Sequence, residues 1–304
     1  ETSAPTYDTW RGCQTYNPAW SLADELCGRC RPFEIGGWTQ FGYHDGVIPL
    51  AEQENDLGSF EDIPREVQLN QQWFYFGRDA QSDGDWGDWG FRLDVVYGTD
   101  AQKMQAFGNP GADVRNRGRW DASLDHGKYG WAIPQAYVEY ARNDWNVIVG
   151  HFFTPLGYEV IPSVGNFFYS HSLTMFNSEP FTHTGALASW AIVDDITVYA
   201  GWSAGWDTGF DSVNSGSNYL GGVALDLTDE VTLTYLATAG NFGWLGDAGG
   251  AYSHSIVMSA QLSSSLEYVL QSDLVDIDQV NNGDREEYDT IGLNQYLFYT
   301  LSDE

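Results

Sequence analysis

Apolar and polar residues alternate along most of this chain, and the alternation is clearest in residues 89–97. One face of that segment carries Trp89, Phe91, Leu93, Val95 and Tyr97. The opposite face carries Gly90, Arg92, Asp94 and Val96. Because successive side chains of a β-strand point to opposite sides, this period of two predicts a strand with one apolar face.

Eleven further segments show a similar, though weaker, pattern between turn-forming residues. They are 33–44, 66–78, 130–142, 145–153, 181–192, 196–202, 219–227, 231–237, 252–262, 265–275 and 287–301. The 34 glycines and the 15% aromatic content also favour strands and turns over helices. The sequence therefore predicts an all-β protein with about twelve strands.

The length and flanks of these strands favour a membrane barrel. Roughly 10 to 13 residues suit a strand that crosses a bilayer at a tilt. Trp89 and Tyr97 lie at the two ends of an apolar face, where aromatic belts meet lipid headgroups. Short connections such as Asn143-Asp144 alternate with long ones such as 99–129 and 276–286. We therefore expect a transmembrane antiparallel up-and-down β-barrel, with a secreted soluble β-sandwich or hydrolase as the alternative.

The strongly acidic composition of the chain limits the kinds of partner that it can bind. It has 43 acidic and 13 basic residues, a formal net charge of −30, which disfavours nucleic acid. Polar residues on the inward face of a barrel line its lumen. The candidates on strands are Arg92, Asp94, Glu139 and Asp226. Arg115, Arg117 and Arg119 alternate within one segment, which is typical of an exposed basic strand or loop, and a lumen-lining arginine ladder is the alternative.

The connection 154–180 is long, aromatic and poor in charge, which is unusual for a loop that faces only water. Two interpretations stay open. The loop folds inward as a constriction, or it packs outside the barrel, for example against another subunit. In the first case Glu159, Tyr169, His171 and Glu179 lie in the lumen.

Motifs for catalysis or cofactor binding are not visible, so we predict no catalytic, cofactor-binding or metal residues. Paired carboxylates are too numerous in so acidic a chain to single out two for glycoside hydrolysis. A weak alternative is calcium bound at acidic external loops. The residues concerned are Asp83, Asp85 and Asp88 in one loop, and Asp273, Asp276 and Asp278 in another.

The two ends of the chain differ from the barrel region in pattern. Residues 1–32 lack alternation and contain Cys13, Cys27 and Cys30, which predicts a periplasmic or plug-like segment held by a disulfide. We expect residues 33–304 to form the barrel. The final Leu301-Ser302-Asp303-Glu304 is typical of a turn, so we expect further strands beyond it.

Several stretches resemble the OmpL-like β-barrel porin family. They include Gly37-Trp-Thr-Gln-Phe-Gly-Tyr-His-Asp-Gly46, Leu69-Asn-Gln-Gln-Trp73, and the long run that begins Pro134-Gln-Ala-Tyr-Val-Glu139 and continues through Val149-Gly-His-Phe-Phe-Thr154 to Glu179-Pro-Phe-Thr-His-Thr-Gly185. The resemblance runs from about Gly36 to Glu304. It implies a porin in the bacterial outer membrane and supplies no catalytic residues.

On this resemblance we expect contact with outer-membrane lipid and passive diffusion of small hydrophilic solutes. The acid excess of 30 charges adds the expectation that the pore prefers cations. A structural barrel with an occluded lumen, serving in a larger envelope assembly, is the alternative. Trimers are common among general porins, so a homotrimer is expected by analogy.

The cysteine pattern generates a first prediction. A Cys-x-x-Cys pair without a second ligand pair nearby favours a disulfide over a zinc site. Mass spectrometry of the full-length protein under non-reducing conditions should show a bridge that includes Cys27 or Cys30. Three free thiols together with bound zinc would overturn this expectation.

Overall fold

The computed structural model describes residues 33–45, 60, 63–81, 86–106, 120–121, 124–211, 214–243, 250–281 and 284–301. Twelve strands lie in these ranges: β1 Glu34–Gly42, β2 Gln68–Arg78, β3 Asp88–Gly98, β4 Gly130–Arg142, β5 Trp145–Phe153, β6 Thr182–Val193, β7 Ile196–Ser203, β8 Ser217–Thr228, β9 Val231–Asn241, β10 Gly250–Ser263, β11 Leu266–Asn281 and β12 Asp284–Tyr299. The described helices are α1 Ala101–Met104, α2 Leu173–Ser178 and a 3₁₀ turn, Ser163–Gly165. None of the helices described is long and apolar enough to cross a membrane.

All twelve strands belong to one sheet, in which each strand pairs with the next one along the chain. Every pairing is antiparallel, from β1 with β2 to β11 with β12. This order confirms the predicted up-and-down arrangement and the predicted number of strands. It also differs from a β-sandwich, which needs two sheets packed face to face. In the described part of the chain, β1 and β12 each pair with one neighbour only.

Connections at the two ends of the sheet differ in length. At one end, pairs of residues join successive strands at 143–144, 194–195, 229–230 and 264–265. The opposite end carries the long connections, including 99–129 and 154–181. We call these the short-turn end and the long-loop end. The long connection predicted over 276–286 is wrong, because β11 runs to Asn281 and β12 begins at Asp284. The acidic residues that indicated a loop there instead pair across two strands, as Asp276 does with Asp289.

Burial follows the alternation predicted from the sequence. On β3, Trp89 is 63% exposed and Leu93 is 42% exposed on one face, whereas Asp94 is 1% exposed on the other. On β12 the exposed residues are also alternate ones, such as Ile291, Leu293 and Leu297. The outer face of the sheet is therefore apolar, as a face that contacts lipid must be.

Aromatic residues form a band at each end of this outer face. At the short-turn end the rings of Trp145 and Trp190 stack 5.0 Å apart. At the long-loop end Tyr97 packs against Trp131, with ring centroids 4.9 Å apart. Two aromatic bands flanking an apolar zone are typical of membrane barrels, because these rings favour the lipid–water boundary.

An apolar cluster fills the inner side of the sheet near the long-loop end of β2 to β4. Trp73 and Val96 are fully buried there. They pack with residues of the long connections, among them Met104, Ile161 and Met175. The long connections therefore fold onto the inner face and do not project only into water.

The two faces generate a prediction about membrane stability. The substitution Leu93→Arg places a charge on the lipid face and should lower the free energy of unfolding by about 2–4 kcal/mol. Asp226→Arg is the matched change on the inner face, where Asp226 is exposed to a cavity, and should cost much less. Equilibrium urea unfolding in lipid vesicles measures both. Equal costs would contradict the assignment of the faces.

Candidate pore constriction

The connection between β5 and β6, residues 154–181, crosses the inner side of the sheet, and we call it the constriction segment. Its first anchor is Gln71, a buried residue on β2. The Gln71 side-chain amide donates to the carbonyl oxygen of Ile161 at 2.9 Å and to Asp100 Oδ2 at 3.0 Å. Its oxygen accepts from Ser163 N and from Trp38 Nε1, both at 3.0 Å. Four hydrogen bonds are the full capacity of a Gln side chain.

The second anchor lies on β11, nine strands further along the sheet. Tyr158 N donates to Gln271 Oε1 at 3.2 Å. The Gln271 amide donates to Asp273 Oδ2 at 2.7 Å and to Glu179 Oε1. One segment therefore touches β2 and β11 at once, so the sheet must curl around it.

Contacts with β10 and β12 fix the rest of the segment. Tyr296 Oη donates to Glu159 Oε1 at 2.8 Å. The hydroxyls of Ser178 and Thr290 lie 2.8 Å apart. Ser253 Oγ also donates to the backbone oxygen of Ser178 at 3.1 Å. These contacts come from the inward faces of the strands, so the segment folds inward and is not an external loop.

The side chain of Glu179, near the end of the constriction segment, packs against the turn at Gly157, near its beginning. Its carboxylate is buried and lies against Gly157, whose φ of +90° falls in the left-handed region. A Cβ at this position would lie 1.9 Å from Glu179 Oε2, so only glycine fits. Burial raises the pKa of Glu179 well above its usual range, and the nearby Asp273 carboxylate raises it further.

The other sequence candidates on the segment lie in different surroundings. Glu159 accepts from Ser172 N at 2.6 Å in addition to Tyr296. Tyr169 Oη donates to Asn70 Oδ1 at 3.3 Å. His171 packs on the ring of Phe60, with centroids 4.7 Å apart, and burial lowers its pKa. All three therefore sit inside the curled sheet, in separate contact networks.

Arg92 and Asp94 form an ion pair on the inner face, with Arg92 Nε 2.5 Å from Asp94 Oδ1. Trp73 Nε1 and Gln135 Nε2 donate to Asp94 Oδ2 at 2.9 Å and 3.2 Å. The Arg92 guanidinium also stacks 4.1 Å above the ring of Tyr75. This closed network hides Asp94 from water and balances its charge. Asp94→Arg is therefore expected to destabilise the protein.

A wide cavity of about 590 Å³, lined by both polar and apolar residues, opens on the inner side near the short-turn end. It is lined by β7 to β11 and by Pro155, Gly157 and Tyr158 of the constriction segment. Its carboxylates are Asp195, Asp226, Asp229, Glu230 and Glu267. The lining residues described include no lysine or arginine. Glu139 lies elsewhere on the inner face, where its Oε2 accepts from Ala80 N at 3.0 Å.

A curled sheet with a lipid-type outer face, a polar interior and an inward segment has the organisation of an outer-membrane channel. Residues 32–304 match the family described as "Putative beta-barrel porin-2, OmpL-like". The chain belongs to this porin family. None of the curated proteins matches it at a significant level.

One solved structure, of a bacterial outer-membrane channel, shares the fold, and two others have lower similarity. The channel DcaP of Acinetobacter baumannii is 10% identical, with a TM-score of 0.55 over 89% of this chain and 75% of that chain. OccAB3 of the same organism is 12% identical, with a TM-score of 0.45 over 88% and 63% of the two chains. OccK8 (OprE) of Pseudomonas aeruginosa is 12% identical, with a TM-score of 0.41 over 77% and 60%. The chain thus spans three quarters of DcaP and under two thirds of the other two.

Family membership places this porin in the outer membrane, with lipid around its outer face. Sequence reasoning identified Asp226, Glu159 and Glu179 but missed the two anchoring glutamines, Gln71 and Gln271. A signal for both was present, since each is a long amide at an inward position of an alternating strand.

The two predicted calcium loops have different outcomes. Asp83 and Asp85 lie outside the described residues, and Asp88 binds Arg78, with Nη2 2.7 Å from Oδ2. The acidic loop predicted at Asp273, Asp276 and Asp278 is wrong, because all three lie on β11. Asp273 faces inward, whereas even-numbered positions of this strand face outward, so the three cannot share one ion. Over the ranges described, no three acidic, His or Cys residues are grouped to hold a metal.

The three cysteines, Cys13, Cys27 and Cys30, lie outside the described residues, as does the whole segment 1–32. The disulfide and the plug-like role of this segment therefore stay predictions. The same holds for the alternative arginine ladder at 115–119.

The end of the constriction segment generates a prediction about pH. Asp207 Oδ1 accepts from Phe181 N at 2.6 Å and from Thr182 N at 2.9 Å. Burial raises the pKa of Asp207 to about 7 from an ordinary value of 3.8. A raised folded-state pKa stabilises the packing below pH 4, and this contribution is lost as the pH rises through about 7.

Hydrogen exchange of the Phe181 and Thr182 amides measures this effect directly. After correction for intrinsic exchange, the free energy of local opening should be smaller at pH 8 than at pH 5. The control Asp207→Asn keeps the accepting oxygen without a titrating group, so its opening energy should vary less with pH. Equal pH dependence in the two proteins would contradict the assignment.

Proposed function

We propose that this porin lets small hydrophilic solutes diffuse passively through its lumen and that it prefers cations, without catalysing a reaction. The acidic cavity at the short-turn end is the observation that supports the preference. Five carboxylates line about 590 Å³ of space, and the lining residues described carry no basic group. Acidic rings in a pore attract cations and repel anions.

The distribution of the other charged residues also supports a preference for cations. Arg92, a basic residue of the inner face, is paired with Asp94 at 2.5 Å, so its field is largely compensated. The carboxylates of the cavity share its lining with hydroxyl side chains such as those of Thr232 and Thr234. With a net charge of −30 on the chain, the lumen and its mouths carry an excess of negative potential.

A structural barrel with an occluded lumen is the second candidate, and one observation favours it. The constriction segment and the apolar cluster around Trp73 and Met175 fill the inner side near the long-loop end. In this case the protein would insert in membranes without passing ions. A homotrimer or larger envelope assembly fits either candidate and stays a prediction. Native mass spectrometry would measure the oligomeric state.

Ion selectivity in planar bilayers tests the proposal. Reversal potentials across a KCl gradient should show a preference for potassium at low salt. The preference should weaken as salt rises, since the Debye length falls from about 30 Å at 0.01 M to about 3 Å at 1 M. A preference for chloride at low salt would contradict the acidic lining, and the absence of conductance at any salt would favour the occluded barrel.

Matched variants assign the selectivity to the cavity. The double substitution D229N/E230Q removes two of the lining charges and should shift the reversal potential toward zero. Asp289→Asn removes a charge from β12 at the long-loop end and should leave it nearly unchanged. Equal shifts per charge in the two proteins would show that the net charge and not the cavity sets the preference.

A further inference from the structure

A second, smaller cavity of about 260 Å³ lies between the constriction segment and the inner faces of β11 and β12. Six aromatic residues line it, and we call five of them the aromatic cage: Tyr158, Phe167, Phe168, Tyr296 and Phe298. Glu159, Glu267 and Asn166 also contribute to its wall. The lining residues described include no lysine, arginine or histidine.

The rings of the cage form a continuous aromatic wall around this space. Tyr296 and Phe298 lie parallel, 5.9 Å apart, on the inward face of β12. Tyr158 approaches Tyr296 at 5.2 Å, and Phe167 approaches Phe298 at 5.2 Å. Several π-faces are thus within reach of one small group in the cavity, since a cation within about 6 Å of a ring centroid is attracted to it.

Two rings of the cage are exposed although they sit on a segment that is anchored inside the sheet. Phe167 is 78% exposed and Phe168 is 51% exposed, while the apolar residues Ile161 and Met175 of the same segment are 3% exposed. Both rings are therefore accessible from the cavity.

The carboxylates give the cage its charge preference. Glu159 is held in place by Tyr296 Oη at 2.8 Å and Ser172 N at 2.6 Å. Glu267 lies opposite Phe298 in the strand pairing and is half-buried. In the part of the chain that the structure describes, Glu267 has no hydrogen-bond or ion-pair partner. A half-buried carboxylate next to aromatic faces favours a positively charged ligand.

We infer that the aromatic cage binds organic cations, specifically alkylated or quaternary ammonium groups, during their passage. The inference rests on the proposed porin function for its physiological meaning, but the binding site itself does not require conduction. Aromatic cages with nearby acids recognise quaternary ammonium through cation–π attraction. The size also fits, because 260 Å³ is smaller than the pockets of drug-sized ligands and accommodates a compact head group.

A neutral sugar fits the cage less well. A sugar hydroxyl needs both donors and acceptors, whereas the amide of Asn166 already donates to the backbone oxygens of Val160 and Pro162. The carboxylates only accept when ionised. A bare metal ion gains little from aromatic faces because it must lose its water shell, so the combination selects a cation with an apolar surface.

Calorimetric titration of the full-length protein in detergent with choline tests the inference. The control ligand is 3,3-dimethyl-1-butanol, which has the same shape without the charge, and glucose tests the sugar alternative. Choline should bind about tenfold more tightly than its neutral analogue. Equal affinities would overturn the inference by showing an apolar pocket, and so would binding of glucose alone or no binding of choline.

Substitutions locate the site. Phe168→Leu and Glu267→Gln should each weaken choline binding severalfold, whereas Phe41→Leu on the outer face of β1 and Asp289→Asn should not. Equal effects of the cage and control substitutions would overturn the location. Bilayer recordings separate this inference from the porin function. Choline binding without conductance would support the binding site and overturn only the proposed transport. Conductance without choline binding would support the transport and overturn the binding site.

Discussion

Backbone hydrogen bonding in the absence of water is the constraint on which this structure depends. Inside lipid, each unpaired N–H or C=O group costs several kcal/mol, so a strand must pair along both edges. Ten of the twelve described strands, β2 to β11, meet this requirement, because each pairs with the strand before it and the strand after it. In a membrane the outer edges of β1 and β12 are subject to the same requirement.

Once the strands curl, the alternation of side chains divides the protein into two environments. The outer face carries aromatic and aliphatic residues such as Trp89 and Leu93, and the inner face is rich in amides, acids and hydroxyls. Buried polar groups are tolerated only where their hydrogen bonds are satisfied. Gln71 and Gln271 form hydrogen bonds with the backbone of the constriction segment. The same contacts therefore pair buried amide groups and hold the segment on the inner side of the sheet.

The constriction segment then determines which spaces inside the curled sheet stay open. Near the long-loop end it packs on the apolar cluster, and near the short-turn end it leaves two open spaces. One space is acidic and wide, which favours attraction of cations through their charge alone. The other is aromatic and narrow, which favours recognition of a particular kind of cation. Both properties arise from one connection between β5 and β6.

Strand positions could be predicted from the sequence because a period of two is a local signal, and β3 shows it residue by residue. The direction of the constriction segment could not, because the composition of residues 154–180 suits an inner and an outer location equally. Its anchors, Gln71 and Gln271, are 200 residues apart in number and meet the segment only after the sheet curls. The loop at 276–286 was predicted wrongly, since acidic residues are common in loops but can also extend a strand beyond the lipid.

Cysteine accessibility tests most directly whether the constriction segment lies in the pore. In a background with the three native cysteines replaced by serine, Phe168→Cys should react with a charged, membrane-impermeant thiol reagent, and the reaction should lower the single-channel current. Leu93→Cys, on the lipid face, should leave the current unchanged. An undiminished current through the Phe168→Cys protein, with complete modification shown by mass spectrometry, would contradict the account.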